Sequence, residues 1–306
     1  MWFLISIIGY ILLALVLLLD KVYLEDHVSK PVIYTFLSTV YMLILSVFLF
    51  FVPAPSFIDI LLSLLAGAGF GFGLWFMFLG VRYESANRLN PFIGAFTTIC
   101  ILVLSTLFLH ETLSSFQMLG IGILVITGIV LSLLKGKHFR GLSKYFFIAF
   151  LSALCFAISH VLSKYLYTQY DFVSILLWTR TGIGLVAFVT LLSPDVRKFL
   201  WKSKKQKEEL EKKSSKISKK PSFGIFIINK VAAVVAVLLL QYATSIGSVT
   251  IVNALSGIQF PLLFVLTILC TKFFHKFFQE TLSRKEIFQE LGVLGFVVIG
   301  SALVVF

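Results

Sequence analysis

Long apolar runs separated by short polar punctuation fill most of the chain, and none of them alternates apolar and polar positions as a half-buried strand would. A bilayer's hydrocarbon core asks for about 20 apolar residues per helix and offers no water to a bare backbone, so these runs predict membrane-spanning helices. Ten are expected, over residues 2–24, 31–52, 57–81, 86–109, 116–134, 145–167, 172–193, 223–243, 247–270 and 286–306. The connections are short except between the seventh and eighth runs. There, residues 194–222 are rich in Lys, Glu and Ser and read as a solvated, mobile loop. The first run has no basic n-region and no small-residue cleavage site, so it reads as a retained span.

Composition removes the soluble alternatives. Of the 306 residues 59% are hydrophobic and 13% charged, with 33 Phe, and too few polar side chains remain to clothe a water-facing surface. The expected class is an all-α integral membrane protein, and a soluble enzyme is excluded. Cys100, Cys155 and Cys270 all fall within apolar runs and form neither a disulfide framework nor a metal-ligand spacing.

The net charge of +12 would suggest nucleic acid if it were spread evenly. It is not: residues 195–220 alone hold eleven Lys/Arg against four acids. Twenty-three of the 26 basic residues fall in connections that follow odd-numbered runs, among them Arg82 and Arg88, Lys272 and Lys276. The positive-inside rule then puts those loops in the cytoplasm of a multi-pass cell-membrane protein and both termini outside, with no nucleic-acid partner. Only Lys164, Arg180 and Lys230 are left over.

The chain also repeats itself. Leu18-Leu19-Asp20-Lys21 aligns with Val161-Leu162-Ser163-Lys164, and Glu111-Thr112-Leu113-Ser114 recurs as Glu280-Thr281-Leu282-Ser283. Each is followed by paired glycines, Gly120 and Gly128, then Gly292 and Gly300. Two units of five spans follow, 1–134 and 145–306, with 135–144 as a basic linker and 194–222 as a basic loop within the second unit. Five is odd, so the second copy inserts upside down, the inverted repeat seen in many secondary transporters. Lys21 and Lys164 then occupy equivalent helix ends on opposite faces.

In its ten runs and its ordered double set of motifs the chain resembles the EamA-type transporters of the drug/metabolite transporter (DMT) superfamily. The marks are Glu84-Ser85-Ala86, Pro91, Glu111 before Leu113-Ser114 and Gly120 in the first half. In the second they are Ala243, Gly247-Ser248-Val249, Asn253, Gln259, Pro261, Glu280 before Leu282-Ser283 and Gly292. The resemblance implies ten transmembrane helices as two inverted five-helix repeats around a central cavity lined by the first four helices of each half. It also implies alternating access and small-metabolite cargo, with export of amino-acid-like compounds the usual theme. Proteins of this type usually keep both termini in the cytoplasm, and the charge count here points the other way.

Arg180 carries the sharpest chemistry. It lies about eight residues into the seventh run, roughly 12 Å from its start, where an unpaired charge costs at least ~3 kcal/mol. Its guanidinium suits a carboxylate or phosphate, with Trp178 two residues before it. Lys230, Asn253, Gln259 and Asn90 join it as expected substrate-binding residues, and Lys21, Lys164, Asp20, Glu84 and His160 as expected gating or pairing groups. Polar stripes of this kind also serve simply to bond helices together. Glu111 and Glu280 read as helix caps or topology marks. No cofactor or metal set is legible, and no nucleophile, base and orienting acid converge as an enzyme requires. The expected partners are a small-molecule substrate and membrane lipid. A flippase for a phosphorylated lipid carrier and a non-transporting scaffold that docks through the basic loop stay open beside the carrier.

Overall fold

The computed structural model describes residues 1–24, 31–83, 86–134, 144–201, 223–263, 265–266 and 284–305. Within these residues the chain is helical, and a helix occupies part or all of every run predicted above. In chain order these are α1 (Trp2–Leu24), α2 (Pro31–Val40) continued by a 3-10 helix η1 (Tyr41–Phe51), α3 (Phe57–Val81), α4 (Ala86–Phe108), α5 (Ser115–Leu134) and α6 (Lys144–Tyr167). Next come α7 (Phe172–Leu191), a short α8 (Pro194–Leu200), α9 (Phe223–Ile246), α10 (Val249–Ala254), a second 3-10 turn η2 (Leu255–Ile258) and α11 (Arg284–Val305). Among the described residues six helices are long and apolar enough to cross a membrane, and four shorter apolar stretches accompany them.

Three details differ from the sequence expectation. Residues 194–200, read as part of a mobile loop, form α8, because Ser193 caps it and Pro194 opens it with φ already set for a helix. The second run changes pitch at Tyr41 instead of continuing as one α-helix. Its open side chains are Tyr41, Ile44, Val47 and Phe50, which such winding aligns every third residue, together with Phe48 and Phe51 beside them. Arg88, counted above as a loop charge, is buried inside α4. Its Nε donates to the Ser132 carbonyl near the end of α5 at 3.2 Å, and its guanidinium lies 4.9 Å from the Phe146 ring centroid. A cation at a helix C-terminus and against an aromatic face recovers part of the hydration it gives up.

The helices that begin at one end of the bundle share a start signal. Ser56, Asp171 and Ser248 accept backbone N–H bonds at the heads of α3, α7 and α10, and Ser114 with Gln117 forms a reciprocal capping box on α5. The preceding connections meet one another. The Tyr170 hydroxyl donates to Asp59 at 2.8 Å, Ser174 donates to the Pro53 carbonyl at 3.1 Å, and Thr250 donates to Glu111 at 2.6 Å.

Packing is set by glycine. On α3, Gly67 and Gly71 face α7 while Gly69 and Gly73, about 200° away, face α6. A Cβ on Gly67 would collide with the Thr179 carbonyl, and one on Gly73 would sit 2.8 Å from the Phe156 ring. Such close approach is how membrane helices gain van der Waals contact when lipid removes the hydrophobic drive. The α1–α9 and α5–α11 pairs are also extensive, and Gly120 and Gly300 meet backbone to backbone across the second of these. Apolar side chains cover much of the outer surface, Phe51, Phe57 and Phe108 among them. In water so large an exposed patch would aggregate, and with the long apolar helices it marks a membrane protein.

Candidate functional site

The α3 glycines bring α6 and α7 onto one helix and so fix where Arg180 sits. Arg180 follows Thr179, whose carbonyl packs on Gly67, and it lies eight residues after the start of α7. His160 lies seven residues before the end of α6, and a four-residue connection joins the two helices. At 1.5 Å per residue both groups sit roughly 10–12 Å below the same end of the bundle. Arg180 is 5% exposed. Among the described residues it has no hydrogen bond and no ion pair. It interacts electrostatically with Tyr41 of η1 and with His160 and Tyr167 of α6.

The surroundings are aromatic. The His160 ring stands edge-on to Phe70 of α3 at 6.1 Å between centroids, and Phe70 in turn meets Phe156 at 5.1 Å. His160 Nδ1 is buried without a partner among the described residues, as are Trp178 Nε1, Asn90 Oδ1 and Gln259 Oε1. The Tyr167 hydroxyl donates to Gln241 of α9 at 3.3 Å. What this arrangement can do chemically is hold an anion: a fixed guanidinium fork in a low-dielectric setting has strong attraction for a carboxylate or phosphate and little to compete with it.

The other expected residues divide. Trp178 and Arg180 are two apart, about 200° around the helix, so they serve different faces of α7. Asn253 donates its amide to the Val249 carbonyl of its own helix at 2.9 Å. Asn90 lies one turn before Gly94 of α4, which packs toward Ser256 and Phe260, and Gln259 follows η2; the amide oxygens of both are buried. Lys164 donates to the carbonyls of Ser245 at 3.0 Å and Gly247 at 2.7 Å. Asp20 and Lys21 are in the last turns of α1 and Lys230 is on α9, with side chains outside the described residues; Glu84 lies outside them altogether. Among the described residues no group of His, Cys, Asp and Glu is arranged to hold a metal ion.

Sequence reasoning missed Tyr41 and Tyr167 beside the guanidinium, and Ser105 and Thr250, whose hydroxyls pair at 2.8 Å. Two tyrosines among ten in a chain of apolar helices carry no signal of their own. Glu111 was expected as a cap or topology mark; Ser114 caps α5, and the Glu111 carboxylate accepts from Thr250 on a different helix.

No family model matches the chain, and no curated protein matches it. A solved crystal structure does: it covers 99% of this chain and 95% of its own with a TM-score of 0.64, at 14% sequence identity. At that identity the likeness is one of fold, end to end.

Proposed function

We propose that this chain is a secondary transporter of the drug/metabolite type. It would move a small anionic or zwitterionic metabolite, amino-acid-like and in the direction of export, by alternating access between two inverted five-helix units. The observation that carries this reading is Arg180: a guanidinium 5% exposed, deep in a helix, with no carboxylate paired to it among the described residues. Intramembrane cations are costly and are kept where they bind something. An anionic cargo supplies the missing partner.

Helix pairing supports the two-unit reading. With the offset that aligns Lys21 with Lys164, α1 corresponds to α6 and α3 to α9. The α6–α3 and α1–α9 pairs are then one contact made twice between the halves, and α5–α11 and α2–α7 are pairs of equivalents. That is the arrangement expected of inverted repeats that exchange roles as access alternates.

The test is uptake into proteoliposomes screened across amino acids, nucleotides and sugar phosphates. Arg180→Ala should cut flux of the accepted cargo about a hundredfold or more while leaving a monodisperse protein, since truncating one side of a buried charge pair has effects of that order. Arg180→Lys should recover part of it. Full flux in Arg180→Ala removes this residue from the site. Movement of a phosphorylated lipid across the bilayer, with no soluble cargo accepted, would establish the flippase alternative instead.

A further inference from the structure

One polar cluster lies apart from Arg180, at the end of the bundle where the α4–α5 and α9–α10 connections meet. The α9–α10 elbow is two residues long, Gly247 and Ser248, and it is gripped from both sides. From α6, Lys164 Nζ donates to the Ser245 and Gly247 carbonyls at 3.0 and 2.7 Å, placing a cation on the C-terminus of α9 where free carbonyls point. From beyond α4, the Glu111 carboxylate accepts from Thr250 in the first turn of α10 at 2.6 Å, and Thr250 pairs with Ser105 of α4 at 2.8 Å. Glu111 reaches that position because His110 adopts a φ of 51°, folding the chain back so that the Glu111 N–H bonds the Ser105 carbonyl at 3.3 Å.

Beneath this clamp lies an apolar plug of Ile101 from α4, Ala157 and Val161 from α6, and Val249 from the head of α10, all buried. Val161 and Ala157 lie one and two turns below Lys164 on its face of α6. The arrangement has two tiers, charges over hydrocarbon, and it joins α4 of the first half to three helices of the second. The hydrogen bonds at the top are few, directional and separable, whereas the glycine seams elsewhere are continuous.

We propose that Glu111 and Lys164 form a latch that holds the molecule shut at this end, and that its release opens a path from this end toward the interior. The proposal rests on the transporter reading, but its test needs no cargo. A single cysteine replaces Ala157 in a chain whose native cysteines are changed to alanine, and the full-length protein in liposomes is treated with a membrane-impermeant methanethiosulfonate. Labelling is slow in the parent. Glu111→Ala and Lys164→Met each speed it by about tenfold or more, the effect of losing one charge-assisted hydrogen bond. A Ser105→Cys/Thr250→Cys pair supplies the opposite arm, read by mass spectrometry of the peptide that carries position 157: its disulfide, formed across hydroxyls now 2.8 Å apart, suppresses labelling there, and reduction followed by removal of the reductant restores it.

Unchanged labelling in both latch variants, or fast labelling with the disulfide closed, overturns the proposal. Should Glu111→Ala fail to fold, the disulfide arm still decides. The two readings fail separately: a latch that responds in a protein that carries none of the screened cargoes sinks the transporter, while steady flux through a chain whose labelling ignores Glu111 and Lys164 sinks the latch.

Discussion

Two cations within the helices, Arg88 and Lys164, both end on backbone carbonyls outside their own helices. Lys164 looks like a lysine snorkelling from a helix end, but its partners are backbone carbonyls about 80 positions away, and no pattern of side chains announces a carbonyl. Arg88 sits two residues inside α4, so its neighbours in sequence suggest a loop, and only the approach of α5 and Phe146 makes it an interior group. Arg180 is the contrary case, because depth along an apolar run is itself the signal and the fold adds only the identity of its neighbours. Tyr10 allows a clean check of such isolated polar contacts: its hydroxyl, fully enclosed, donates to the Val252 carbonyl of η2's helix partner α10 at 2.9 Å. Tyr10→Phe should lower stability by about 1 kcal/mol in thermal unfolding in detergent. Tyr165→Phe, at an exposed site, should leave the transition where it is.

At the scale of elements, the helices were legible because apolar length and Ser/Asp caps coincide. Ser56, Ser114, Asp171 and Ser248 each stand at the boundary the runs predict, within a residue or two. Pitch was not legible, since Tyr41–Phe51 is apolar nearly all round and offers no periodicity from which to tell three residues per turn from 3.6. Which glycines matter was likewise invisible. Gly67 and Gly122 are both mid-helix, but a Cβ on the first collides with α7 backbone and one on the second meets nothing within 4 Å. Gly67→Ala should therefore abolish recovery of monodisperse protein in size-exclusion chromatography. Gly122→Ala should raise stability slightly or leave it unchanged, as alanine is the better helix former.

For the whole molecule, the charge of +12 and the fold give complementary information. The basic residues cluster in connections that alternate with those capped by Ser56, Ser114, Asp171 and Ser248, so the latch end is the end poor in positive charge. A cysteine placed at Ser203, in the basic segment outside the described residues, should react with an impermeant reagent in inverted vesicles and stay unlabelled in intact cells; the reverse result would invert the expected orientation. The three-residue winding of η1 carries a consequence for how the molecule meets lipid. In a helix of 3.6 residues per turn each step of three falls 60° short, and nine residues on, Phe50 would point the opposite way from Tyr41. Tighter winding instead lines up Tyr41, Ile44, Val47 and Phe50 as a straight rib parallel to the axis, with Phe48 and Phe51 on the row beside it, while Leu43 stays seated over Gly184. Acyl chains beside η1 therefore lie along an edge that does not wind from one leaflet to the other.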